Sequence, residues 1–561
     1  MRSAIVIIMG FALSGCAVPG HGRASIPSRR AQSNIADPHF LNQYAVTRRF
    51  SLGRPTSIKF LPDGAGVLFL RSGPRSFVQD LYEFDIKTRR EKLLLTAESI
   101  LLGGDERLSP EERARRERMR MTARGIASYQ ISDDGAKILV PLSGRLFVIH
   151  RTDGAVTELH SERGYPIDPK FSPDGRYISC VRDGELYVME LATGKERVLT
   201  DGAGDTITNG LAEFVAQEEM GRFEGYWWSP DGQTIAFQRT DTSGLETMHI
   251  MDAMHPNRKP QAWPYPRPGK PNADVRLGLV ALEGGPTRWV TWDRRRYPYL
   301  ATVRWEENAP LTILVQDRRQ REQTLLTVDI KTGITSVLLT ERDEAWLNLD
   351  PEMPLWLPDG DGFLWTTERN GVWQLERRAR NGELVEPLTG TDFSYQGLAD
   401  FDADSASVFV LGGPDPTQTH IYRIDLQPRP HKPVRVTQEP GMHHALFSKN
   451  HLRYVHIAET MNAERFYAVR SRDGREIGRL RSVAEKPPFV PNIELTTVGD
   501  DPAFHAVLVR PKNFDPKRRY PVIVNVYGGP HGQMVAASPN RYLLQQWIAD
   551  HGFIVVSIDG R

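Results

Sequence analysis

In the stretch NGLAEFVAQEEMGRFEGYWWSPDG, residues 209–232, Glu218 and Glu219 stand side by side just ahead of an aromatic pair and a Pro-Asp-Gly turn. Two adjacent carboxylates put acceptor oxygens and negative charge at one point, chemistry suited to a cation with several donors. They fit equally on a solvated helix face with Gln217, where neighbouring side chains diverge by about 100° and meet no common ligand. The motif alone leaves both readings open. Upstream, LSPEERARRERMRMTARG carries Arg113, Arg115, Arg116, Arg118 and Arg120 on one predicted helix. A charge-laced solvated helix is the default, while an inward-facing guanidinium could clamp an anion or a carbonyl. His443, His444 and His531 show no partner pattern for metal or catalysis and read as ordinary surface or cavity histidines.

The elements that must position these residues are legible in part. Ser109-Pro110-Glu111-Glu112 is a capping box with Pro at the first helical position, Glu112 and Arg116 pair at i,i+4, and Gly125 supplies a stop. A turn signature recurs along the chain: FLPDG from Phe60, ISDDG from Ile131, FSPDG from Phe171, WSPDG from Trp228, WEENA from Trp305, WLPDG from Trp356, FDADS from Phe401 and FSKNH from Phe447. Pro sets φ at one corner, Asp-Gly tolerates the positive φ of the next, and a short alternating stretch follows as a strand. Apart from two long gaps the markers recur every ~40–57 residues, the period of four-stranded propeller blades. Eight markers predict eight blades; seven is the alternative, because the Trp305 and Phe447 markers are degraded. One long gap holds the arginine helix, and the other holds QAWPYPRPGKPNADVRL, whose prolines predict a loop before its alternating end.

A chain of 561 residues exceeds one ordinary core. Its 71 basic and 70 acidic residues give no electrostatic reason for a nucleic-acid partner. Met1-Arg2-Ser3, an apolar run and Ser-Gly-Cys read as a secretory signal too short to span a bilayer. Leu13 to Cys16, LSGC, resembles the bacterial lipobox, in which cleavage exposes Cys16 for a membrane-holding lipid. Ala17 in place of Asp favours the outer membrane, so the expected location is the periplasmic cell envelope. Cys180, the one other cysteine, lies in an apolar pattern and reads as a buried filler.

From about residue 484 the texture changes. FHAVLVRPKNF, YPVIVNVYGGPHG, a helical NRYLLQQWIADHG and FIVVSIDGR read as α/β, with strands buried on both faces. The segment 484–561 is too short to close such a domain, and the chain looks cut off.

Three stretches, AEFVAQEEM with GYWWSPDG, RYPVIVNVYGGPHGQ and GFIVVSIDGR, resemble the dipeptidyl peptidase IV branch of the prolyl oligopeptidase family, in a bacterial form. The resemblance implies a mainly β fold: an eight-bladed propeller over 46–483 and the first part of an α/β-hydrolase domain over 484–561, after a signal peptide at 1–15 and an N-terminal segment at 16–45. It implies that Glu218 and Glu219 bind the α-ammonium of a peptide substrate, each charge-assisted bond being worth about 1.5–3 kcal/mol. It implies that the Tyr527 hydroxyl completes an oxyanion hole, a donor worth about 3–4 kcal/mol. Arg116 and Arg120 are the candidates for holding a substrate carbonyl, and spacing does not choose between them. The implied activity is release of X-Pro or X-Ala dipeptides from free N-termini by serine acylation, with no cofactor or metal, and a homodimer is among the arrangements the family uses.

The departures are as informative. No G-x-S-x-G occurs, Asp559 precedes the place of the family's serine and so is not the triad acid, and TERNGVWQL drifts from the family pattern. The chain is therefore expected to be inactive alone. A non-catalytic periplasmic propeller lipoprotein that binds proteins or peptides is the reading from another class, and an acylaminoacyl peptidase or oligopeptidase is the reading within the family.

Overall fold

The structure, a computed structural model, describes residues 36–102, 106–427, 432–462, 465–529 and 532–560. The expected signal peptide, Cys16 and His531 lie outside the described residues.

Eight sheets follow one another with their main ladders over residues 56–95, 130–159, 167–198, 207–289, 299–342, 355–387, 394–435 and 441–479, each ladder of four antiparallel strands ordered as in the chain, the first and fourth sheets adding a fifth short strand. Every turn marker is a hairpin leading into the second ladder strand of its sheet, the degraded ones included; in the fourth sheet it enters from the short extra strand Tyr226–Trp228. The chemistry is local. In ISDDG, FSPDG and WSPDG the serine hydroxyl donates to the aspartate Oδ1 at 2.6, 2.6 and 2.5 Å. The same oxygen accepts the N–H two residues on, at 2.9, 3.1 and 3.0 Å. The degraded markers keep a left-handed residue, Asn308 at φ 62° and His451 at φ 50°.

The second ladder strands are buried in consecutive runs rather than on alternate residues, along their whole length at Gly66–Ser72, Tyr177–Arg182, Leu311–Gln316 and Gly362–Thr367. The reason is that each sheet is covered on both faces. Leu68 and Leu70 pack on Ile138 and Val140 of the second sheet. Leu139 turns the other way, onto Ile178 and Cys180 of the third. Val181 meets Phe237 of the fourth, and Leu277 of the fourth meets Ile313 of the fifth. One large cluster joins the fifth, sixth and seventh through Leu325, Phe363 and Val408, and Phe409 and Ala445 join the seventh to the eighth. Val455 and Val469 of the eighth then pack on Val67 and Phe69 of the first. The sheets form a closed ring, the arrangement of a β-propeller. Cys180 is a buried free thiol, and burial pushes its pKa up to about 12, so it is no nucleophile.

Five short α-helices punctuate the described chain: α1 (Phe40–Val46), α2 (Ala97–Leu101), α3 (Pro110–Arg118), α4 (Phe214–Glu218) and α5 (Leu543–Ala549). Two expectations need correction. Helix α3 ends at Arg118, and Gly125 belongs instead to a short strand, Arg124–Gly125, parallel to Val78–Asp85. The Pro-rich insertion contains a strand, Gln261–Tyr265, which pairs with Glu246–Ile250 as a two-stranded ribbon.

The last described residues form a separate four-stranded sheet. Phe504–Val509 pairs antiparallel with Ile493–Val498 and with Ile554–Ile558, and Val522–Val524 runs parallel to Ile554–Ile558. The expectation that these strands are buried on both faces fails for Val522–Val524, an edge strand exposed throughout. This sheet is tied to the ring and the N-terminal segment. Phe40 and Phe50 pack on Leu543 of α5, Trp547 donates to the Asp37 carbonyl at 3.1 Å, and the Ala537 N–H donates to the Thr417 carbonyl at 2.7 Å.

Candidate functional site

Helix α3 begins as its sequence requires: the Ser109 hydroxyl accepts the Glu112 N–H at 3.2 Å. The Glu112 carboxylate turns to Arg116, whose Nε lies 2.8 Å away, and Arg116 Nη1 lies 2.8 Å from Glu106. Arg116 is buried, and the two glutamates outweigh the cost of that burial and raise its pKa. Its guanidinium is thus committed inside the protein.

Arg120 behaves differently. Met121 N–H donates to the Arg116 carbonyl and Arg120 N–H to that of Glu117, the paired bonds of a Schellman end. Arg120 occupies the left-handed position of that motif at φ 54°, where glycine is the usual residue. The half-exposed side chain leaves this turn to reach Glu218, Nη2 to Oε1 at 2.7 Å.

Helix α4 is capped by Glu213, whose two carboxylate oxygens accept the N–H groups of Val215 at 2.5 Å and Ala216 at 2.7 Å. Burial raises the Glu213 pKa, against those N–H donors and the charges of Arg222 and Arg118. Arg222, also buried, donates to the Glu224 and Leu300 carbonyls and to Gln238 at 2.6, 3.0 and 2.6 Å, so the turn after α4 is pinned to the fifth sheet. Burial lowers its pKa to about 10. Met220 sinks into the cluster of the fifth to seventh sheets.

Glu218 is the last helical residue and Glu219 the C-cap. Both carboxylates therefore sit at the negative end of a helix that has no basic residue in its last turn, a placement unfavourable for α4 itself. Local conflicts of this kind are what functional sites carry at a cost to stability. Glu219 is exposed, and its carboxylate engages no described residue.

Residue spacing did not single out Arg118 from the other helix arginines; it donates to Gln217 Oε1 at 3.0 Å and lies over the Phe214 ring at 5.0 Å. Glu213 could have been found as an acidic cap before an apolar run; no sequence signal marked Arg222. Tyr527 follows the edge strand Val522–Val524, is 43% exposed, and lies over Gly529, where a Cβ would come within 2.6 Å of its hydroxyl. Among the described residues no hydrogen bond joins Tyr527 to Glu218, Glu219 or Arg120. The expectation of ordinary surface or cavity histidines fails for His443, which is buried in a stack between His420 and His456, with ring centroids 5.0 and 5.1 Å apart. His444 is exposed by contrast.

Residues 132–464, more than half of the chain, match the family described as dipeptidyl peptidase IV (DPP IV) N-terminal region. The chain belongs to this DPP IV family. The DPP IV match opens in the first hairpin of the second sheet and takes in α4 and the carboxylate pair. The chain is 24% identical over 470 residues to the Emericella nidulans protein named probable dipeptidyl-aminopeptidase B, covering 72% of this chain and 50% of that one. A Neosartorya fischeri protein of the same name is 26% identical over 466 residues, covering 72% and 49%. The chain thus spans about half the length of these relatives. The crystal structure of Porphyromonas gingivalis dipeptidyl peptidase 4 superposes with a TM-score of 0.75 at 21% identity, covering 93% of this chain and 73% of that one. At that identity the likeness is one of fold.

Proposed function

We propose that the chain is the recognition portion of a serine-type dipeptidyl peptidase that releases X-Pro or X-Ala dipeptides from free peptide N-termini. The observation that carries this reading is the pairing of Glu218 with Arg120 at the open end of a firmly anchored helix, beside an unengaged Glu219. An α-ammonium has three donors; Glu219 and the second oxygen of Glu218 take them, while the other nitrogens of Arg120 hold a substrate carbonyl. A blocked N-terminus leaves the carboxylates unpaired and is rejected. Tyr527 donates to the developing oxyanion. The 484–561 segment is read as the opening part of an α/β-hydrolase domain behind an eight-bladed propeller. No G-x-S-x-G elbow for the serine that this chemistry needs, with its base and acid, occurs in these 561 residues. This reading assigns them to the part of the relatives' length that the chain does not span, and the chemistry, acylation then hydrolysis, needs no metal or cofactor.

The reading includes a lipid anchor at Cys16 and a cell-envelope location; Cys16→Ser should release the protein from the membrane fraction. The central test is calorimetric titration with Ala-Pro-Ala and its N-acetyl form. Binding of the free amine alone, weakened about 10- to 100-fold by Glu219→Ala, is the expected result. Equal binding of both peptides would sink the reading.

A further inference from the structure

Phe214, the first residue of α4, is held between two chain-distant side chains. Arg118 at the end of α3 lies over its ring at 5.0 Å, and the Tyr265 ring meets it edge-on at 5.0 Å and 62°. Tyr265 stands on the two-stranded ribbon directly across from Glu246, whose carboxylate holds Arg267 and lies 3.2 Å from Lys270. The residue is therefore at a fastened part of an otherwise projecting element.

We propose that Tyr265 is a positioning residue for the carboxylate pair, acting through Phe214 and Arg118. The proposal rests on the ammonium-binding reading of Glu218 and Glu219. A five-residue helix does not hold its shape unaided, and this one ends in two like charges at its negative pole. Its cap and the Met220 anchor fix the two ends, and the stack fixes its outer side. Arg118 is the sensitive partner. Its guanidinium is drawn electrostatically toward Glu218, and toward Glu117 and Glu213, yet it sits on the Phe214 face and donates to Gln217. Removing Tyr265 frees the Phe214 ring to turn, Arg118 loses its seat and moves onto the Glu218 carboxylate, and a substrate ammonium then has to displace it. Tyr265 thus keeps the pair open by keeping a neighbouring cation occupied.

Tyr265 is itself more than one-third exposed, so its truncation spares the cores. The experiment compares the unaltered chain, Tyr265→Ala and Tyr265→Phe, titrated with Ala-Pro-Ala and with N-acetyl-Ala-Pro-Ala, together with the thermal midpoint of each. An edge-to-face pair of this kind corresponds to about a three- to ten-fold loss of free-amine affinity in Tyr265→Ala. Tyr265→Phe should restore that affinity, with midpoints unchanged. Unaltered affinity in Tyr265→Ala, or a Tyr265→Phe variant that fails to restore it, overturns the proposal and leaves the ammonium reading standing. No preference for the free amine in the unaltered chain overturns the ammonium reading itself, and this proposal with it.

Discussion

Arg120 Nη2 lies 2.7 Å from Glu218 Oε1, a contact that spans 98 residues of chain. Four residues earlier, Arg116 faces the other way, into a buried pair of glutamates. The two arginines left unresolved by spacing have different employments, and the difference is measurable.

Arg116→Met should cost about 3–5 kcal/mol of stability, because it leaves Glu106 and Glu112 buried without their counter-charge. Arg120→Ala should cost less than about 1 kcal/mol, since its ion pair is half-exposed. Urea denaturation of the two variants side by side checks the contrast; equal losses would mean that the helix is held otherwise.

Arg120→Gly separates backbone from side chain. Glycine accepts the left-handed φ without strain, so this variant should be more stable than Arg120→Ala by about 1 kcal/mol. Both should lose the same affinity for an Ala-Pro-Ala carbonyl. A glycine variant no more stable than the alanine one would remove the case for strain at this position.

Glu213→Ala removes a cap from two partly buried N–H groups and should destabilise the fold by about 1–2 kcal/mol. Hydrogen exchange should show the loss locally, at the amides of Val215 and Ala216. Unchanged protection there would contradict the capping role.

The histidine stack gives a pH dependence. Burial lowers His420 from 6.5 to about 4 and His456 to about 3, and lowers His443 as well. Arg435 reinforces the neutral form of His420, its Nη2 lying 2.7 Å from Nε2. The unfolded chain therefore takes up protons at a higher pH than the folded one. The stabilisation is complete above pH 6.5 and is lost as pH falls below it toward about 4. The urea midpoint should drop between pH 7 and pH 5, and the drop should be shallower in His456→Phe. An equally steep drop in that variant would place the acid sensitivity elsewhere.

The sequence by itself determined what local chemistry can specify. The ring of eight sheets was readable because the turn markers are local, three of them built within five or six residues from a serine hydroxyl, an aspartate oxygen and a left-handed glycine. Even FSKNH keeps that geometry with His451 in place of glycine. The carboxylate pair stood out for the same reason, as did the capped start of α3. What tertiary structure alone decided were the long-range choices: which arginine turns inward, where α3 stops, and that QAWPY pairs as a ribbon. The stacking of His443 and the convergence of Arg118 and Tyr265 on Phe214 belong with these. Each depends on contacts between segments tens to hundreds of residues apart, whose meeting is set by ring closure and burial rather than by any local pattern. Apolar second strands show the boundary well: their alternation disappears because neighbouring sheets cover both faces, a fact of packing that no single strand encodes.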